Sequence, residues 1–121
     1  MIRRESLKLL SVGTVAAMWP FAALASGGDL RAVFDARFSM ARAFAAGYAN
    51  AHDCQHDAAT LWFAHLWPQH RPGMTIHGLT TAADAMILAD CARRERLAFR
   101  ICDIPHLPDG LIAWDISERA R

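Results

Sequence analysis

From residue 29 onward, hydrophobic positions come in short blocks separated by polar turns. Arg31-Ala32-Val33-Phe34 reads as a short buried strand ending near Asp35. Met40, Ala41, Phe44, Ala45 and Tyr48 then recur at helical spacing, predicting a helix from about 40 to 50 with Ser39 as its cap. Residues 49–57 are polar and read as an irregular loop. A second helix is expected over 58–67, capped by Asp57 and stopped by Pro68, with Leu61, Trp62, His65 and Leu66 on one face. Met74-Thr75-Ile76-His77 reads as a strand that Gly78 breaks. Thr81 and Asp84 have capping-box spacing at the head of a helix from about 82 to 96, whose Ala85, Met86, Leu88, Ala89 and Ala92 form a broad apolar face. Residues 97–102 and 111–114 read as two further strands around a loop marked by Pro105 and Pro108.

The expected order is β-α-α-β-α-β-β, with a βαβ unit from Met74 to Cys102. That pattern predicts one small layered α/β domain over 26–121, with a mainly parallel sheet and the last strand at an antiparallel edge. An all-α arrangement remains if the short strands are loops.

The first 25 residues differ in kind. Arg3-Arg4-Glu5-Ser6-Leu7-Lys8 is followed by an apolar stretch from Leu9 to Leu24. Ala23-Leu24-Ala25 then offers a small-x-small cleavage site before Ser26. A charged head, an apolar middle and a small-residue end make a signal peptide, because the middle must insert as a helix and the end must fit a peptidase. The paired arginines with Leu7 and Lys8 resemble a twin-arginine translocation signal, with Ser6 departing from the usual Phe. An ordinary secretory signal and an uncleaved anchor are the alternatives; Gly13 and Pro20 weaken the anchor. The resemblance implies a bacterial protein folded before export to the periplasm or beyond, often with a cofactor or a partner. The stretch from Val33 to Cys102, with Phe34-Asp35-Ala36-Arg37-Phe38, Ala41-Arg42-Ala43-Phe44, Leu61-Trp62 and Gly78-Leu79-Thr80-Thr81, is similar to small exported bacterial proteins of unassigned function. That similarity implies no activity.

Composition narrows the field. With 121 residues, 54% hydrophobic, there is one domain's worth of core and no case for general disorder. A net charge of +1 argues against a nucleic-acid binder, and no stable membrane span is expected after cleavage.

Three readings of function follow. The leading one is an exported accessory or binding subunit of a larger, redox-type enzyme, using Trp62, Phe63 and Trp67 as a partner patch. The second is a metal-binding protein. His52, Cys54 and His56 offer imidazole and thiolate donors for a zinc- or copper-class ion, and His65 or His70 are available to complete the set. The third is a small enzyme or anion binder at the carboxyl ends of the strands, where loops and helix N-termini converge. Its candidates are Asp35, Arg37, His77, Thr80 and Thr81, with Ser39, Gly78, Cys102 and Asp103 nearby. No phosphate-loop or dinucleotide motif is present, and a Cys54–His52 nucleophilic pair carries no family signature. The cofactor, if any, is not readable. Among Cys54, Cys91 and Cys102, the loop position makes Cys54 the one expected at the surface, and Cys91 and Cys102 the pair to consider for a disulfide.

Overall fold

The computed structural model describes residues 29–55 and 57–119. The expected leader, with Arg3, Arg4 and the Ala25–Ser26 junction, lies outside the described residues, as does His56. Among the described residues, no helix is long and apolar enough to cross a membrane.

Five strands form one sheet. They are β1 (Leu30–Phe34), β2 (Ala51–Asp53), β3 (Thr75–Thr80), β4 (Leu97–Cys102) and β5 (Ile112–Glu118). Three helices connect them: α1 (Ser39–Ala45), α2 (Ala58–Leu61) and α3 (Ala82–Arg94). A π-helical stretch, Trp62–Leu66, continues α2. The order is therefore β-α-β-α-β-α-β-β, and the sheet runs β2-β1-β3-β5-β4.

The architecture is α/β as expected, but the sheet is mixed. β2, β1 and β3 are mutually parallel, and β5 runs antiparallel to both its neighbours, β3 and β4. The expected βαβ unit exists as β3-α3-β4, with β5 inserted between its two strands rather than placed at an edge. The short connection after β4 returns the chain as an antiparallel neighbour. Short returns favour that geometry, because a parallel partner needs a longer crossover.

The one strand missing from the sequence reading is β2. Ala51-His52-Asp53 is three residues long, with no apolar alternation to announce it. Its place at the edge explains its polarity, since only β1 covers it. The ladder to β1 is extended by the Ala32 N–H donating to Asn50 O (2.9 Å) and the Cys54 N–H donating to Phe34 O (2.9 Å).

The layers follow from strand alternation. On one face Val33, Ile76, Trp114, Ile116 and Leu97 pack against Leu61, Trp62, Leu66, Ala85, Leu88 and Ala92 of α2, its π extension and α3. On the other, Ala32, Leu79, Ala113 and Cys102 pack against Ala41, Phe44 and Ala45 of α1 and against Ile104 and Leu111. α1 is shorter than the spacing implied, and it starts without a side-chain cap: Phe38 takes the cap position and Ser39 lies within the helix. Asp57 does cap α2, its carboxylate accepting from the Thr60 N–H at 3.1 Å.

Gly78 does not end β3. The strand runs through it to Thr80. A Cβ at position 78 would lie 2.0–2.4 Å from ring atoms of Trp114, its cross-strand partner on β5. The glycine is there to seat an indole, and the Trp114 Nε1–H then donates to Thr80 Oγ1 at 2.9 Å. Both groups are fully buried. We therefore predict that Gly78→Ala destabilises the fold by about 3 kcal/mol or more, the upper end for overpacking a tight core. Urea unfolding of the variant beside the parent checks this.

Candidate functional site

Three parallel strands end on the same edge of the sheet, and each delivers one side chain there. Asp35 follows β1. Cys54 follows β2. Asp84 stands in the first turn of α3, just beyond β3. Their ligating atoms all lie within 4.8 Å of one another, and all three residues are buried. The Cys54 thiol donates to Asp84 Oδ2 at 3.3 Å.

Each group is held by its own local chemistry. Asp35 forms a forked pair with Arg37: Nε–H donates to Oδ1 at 3.0 Å and the NH2 group to Oδ2 at 2.6 Å. The Arg37 backbone N–H adds a bond to Oδ1 at 3.0 Å. The hydrogen bonds to Asp35 raise the Arg37 pKa, so the guanidinium is charged at any working pH. Thr81 caps α3, accepting from the Asp84 N–H at 3.4 Å and donating its hydroxyl to Asp84 Oδ2 at 3.4 Å. The capping box is thus present, and its acidic member also faces Cys54. A carboxylate at the start of a 13-residue helix is stabilised by the helix dipole. The N–H groups of Ala36 and Gln55 donate to Asp53 Oδ1, at 3.3 and 3.1 Å, and close the loop after β2.

Beside the three donors lies a cleft of about 500 Å³. Cys54 lines it, with His52, Asp53, Asp57, Leu61 and His65 among its walls. The His52 and His65 rings stack, with centroids 6.2 Å apart and planes inclined by 28°. Burial lowers the His52 pKa, with smaller contributions from Arg31 and His65. Hydrogen bonds from Thr60 hold the Asp57 carboxyl below its ordinary range.

The structure thus redistributes the sequence candidates. Asp35, Arg37 and Thr81 stand beyond the carboxyl ends of β1 and β3, as their positions in the sequence implied. Cys54 joins Asp35 and Asp84 and is buried, not exposed as its loop position implied. His52 faces His65 along the cleft. His70 stacks on Trp67, with centroids 4.9 Å apart, and its Nε2 is buried without a hydrogen-bond partner. Thr80 is buried and receives the Trp114 indole. The three cysteines are free, so Cys91 and Cys102 form no disulfide. Burial, then Asp115, pushes the Cys102 thiol up to about 12, which keeps it protonated.

His77 is not at a strand end, because β3 continues past it. It lies on the α1 side of the sheet, with Nδ1 2.6 Å from the Tyr48 hydroxyl. Burial lowers its pKa to about 4. Asp115 is its cross-strand partner on β5 and is pushed up to about 6 by burial, against the pull of Arg100 at 3.6 Å. Asp84 was readable in the sequence only as a cap; its second role follows from the edge position of β2, which the sequence did not reveal.

Comparison with protein-family models, curated proteins and solved structures finds no match.

The two buried groups on the α1 side have opposite linkage to pH. Asp115 has a raised folded pKa, so its contribution to stability is full below about pH 4 and lost as pH rises through about 6. His77 has a lowered one, so its contribution is full above about pH 6.5 and lost as pH falls through about 4. The trends offset each other between these limits. Asp115→Asn removes one of them. We expect the variant to be more stable than the parent at pH 7, by on the order of 1 kcal/mol after loss of the Arg100 pair, and to lose that advantage by pH 4. Urea midpoints measured across pH 4–7 check the sign.

Proposed function

We propose that the chain is a small metal-binding domain, taking one zinc-class divalent cation on Asp35, Cys54 and Asp84. The observation that carries this reading is the convergence of three buried donors from the ends of β1 and β2 and from the first turn of α3. Bond lengths of about 2.3 Å to sulfur and 2.0 Å to oxygen at a tetrahedral angle put two ligands of one zinc roughly 3.5 Å apart. The observed 3.3 Å between Cys54 Sγ and Asp84 Oδ2 is close to that separation. Charge supports it as well. Two carboxylates and a thiolate carry three negative charges, Arg37 returns one, and a divalent ion balances the remainder. Mixed sulfur and oxygen donors favour a borderline ion over magnesium or calcium. In this reading residues 1–25 direct the folded domain out of the cytoplasm to the periplasm.

Without an ion, the thiol proton satisfies Asp84, so binding must displace it. Affinity should then rise about tenfold per pH unit below the thiol pKa, one proton leaving per ion. Isothermal titration of the full chain with zinc is expected to give one site. Cys54→Ser should weaken it by about 100-fold or more, since losing even a supporting partner of a ligand costs about 10–100-fold. Equal affinity in parent and variant, or no binding at all, would sink the proposal.

A second reading, that of an accessory subunit, is favoured by one surface feature. Phe63, Met86 and Ile87 are 58%, 44% and 42% exposed and line a groove of about 410 Å³ between the π-helical stretch and α3. Trp62 is buried, so Phe63 is the exposed aromatic of the expected patch. Under this reading the protein recovered from its own cells co-elutes with a defined subunit, and Phe63→Glu abolishes the co-elution. Native mass spectrometry reads both.

A further inference from the structure

We propose that the metal position is open on its cleft side and accepts there, through an unprotonated nitrogen, a small base of no net negative charge as an exchangeable ligand. The proposal rests on the metal-binding reading and adds the chemistry of what the metal meets. Among the described residues, only Asp35, Cys54 and Asp84 form a group of three donors within ligating reach of one another. A zinc-class ion takes four ligands; closed sites draw all four from protein, and reactive sites draw three and leave one position for an exchangeable group.

The cleft supplies the approach. Cys54 belongs both to the donor trio and to the wall of the cleft, so the two meet at that residue. Its volume of about 500 Å³ lies within the range of small-molecule sites, about 300–1,000 Å³. The remaining walls define what fits. Asp53 and Asp57 place two carboxylates along it, and neither lysine nor arginine is among its described lining residues. An anionic ligand therefore meets repulsion before it reaches the metal, and a neutral or cationic one does not. His52 and His65, whose rings stack on one another, bring two aromatic side chains to the cleft, which suits a planar nitrogen heterocycle or an amine on a flat body. The Arg37 guanidinium is compensated by its forked pair with the Asp35 carboxylate.

Cobalt(II) added to the full chain in place of zinc tests this, because its colour reports both the thiolate and the coordination number. A near-ultraviolet thiolate-to-cobalt band that Cys54→Ser removes would establish the trio as the site. Without that band, the metal-binding reading fails, and this proposal with it. With the band present, imidazole should shift the visible bands saturably, at least about tenfold more tightly than azide. Spectra indifferent to imidazole would show that a fourth protein donor closes the site, overturning the open position while leaving metal binding intact. Azide binding as well as imidazole would overturn the charge selection. Asp57→Asn gives an independent check, because asparagine also caps helices well and the α2 start should survive. That variant should narrow the imidazole preference by a few fold, and an unchanged preference counts against the acidic cleft.

Discussion

The indole of Trp114 occupying the space above Gly78 is the contact from which the rest of the site is built. It seats β5 between β3 and β4, where a βαβ unit alone would have left two parallel strands side by side. Its Nε1–H reaches Thr80 Oγ1, fixing the last residue of β3. The next residue, Thr81, caps α3 and orients Asp84, and Asp84 accepts the Cys54 thiol. A change at position 78 therefore propagates along a connected series of side chains to the strand-end donors, although Gly78 itself touches none of them. Such a series carries a displacement well, because tightly packed interiors have little slack in which to absorb it.

The elements legible in the sequence were those with length and periodicity. α3, with its capping pair and apolar face, stands within two residues of its expected bounds, and β1 and β4 are close to theirs. The site was half legible for a related reason. Asp35 and Thr81 follow strands that the hydrophobic pattern reveals, so the rule of ligands at carboxyl ends finds them. Cys54 follows a strand of three residues, Ala51-His52-Asp53, which the same pattern cannot show. Reading that stretch as a loop grouped Cys54 with its sequence neighbours His52 and His56. Pairing with β1 groups it instead with Asp35 and Asp84. His77 was misplaced by the opposite error: Gly78 was read as a strand breaker, whereas it admits a neighbouring aromatic and the strand continues.

The sheet separates two kinds of buried polar chemistry. On the α1 side, Tyr48, His77, Asp115 and Arg100 lie in the middle of strands or against them, and burial drives His77 and Asp115 toward their neutral forms. Their position between β3 and β5 makes them part of the fold's polar interior. At the carboxyl edge the acids have closer partners. Asp35 has a forked guanidinium, and Asp84 has a helix N-terminus, a hydroxyl and a thiol.

This difference also locates the site's mechanical weakness. β1 is flanked by strands on both sides, and Asp84 belongs to a helix packed against the core, but Cys54 hangs from an edge strand of three paired residues. Edge pairing this short adds little stability of its own. Its geometry is set instead by the Cys54 N–H on Phe34 O, by Asp53 gripping the Ala36 and Gln55 N–H groups, and by the thiol on Asp84. A cation joining Asp35, Cys54 and Asp84 would replace the weakest of these, a single thiol hydrogen bond, with bonds to β1 and α3 at once. Binding and the ordering of β2 would then be the same event, because an ion that prefers the assembled trio stabilises every element needed to assemble it. The strand that the sequence conceals most completely is, on this argument, the one whose position is left for the ligand to complete.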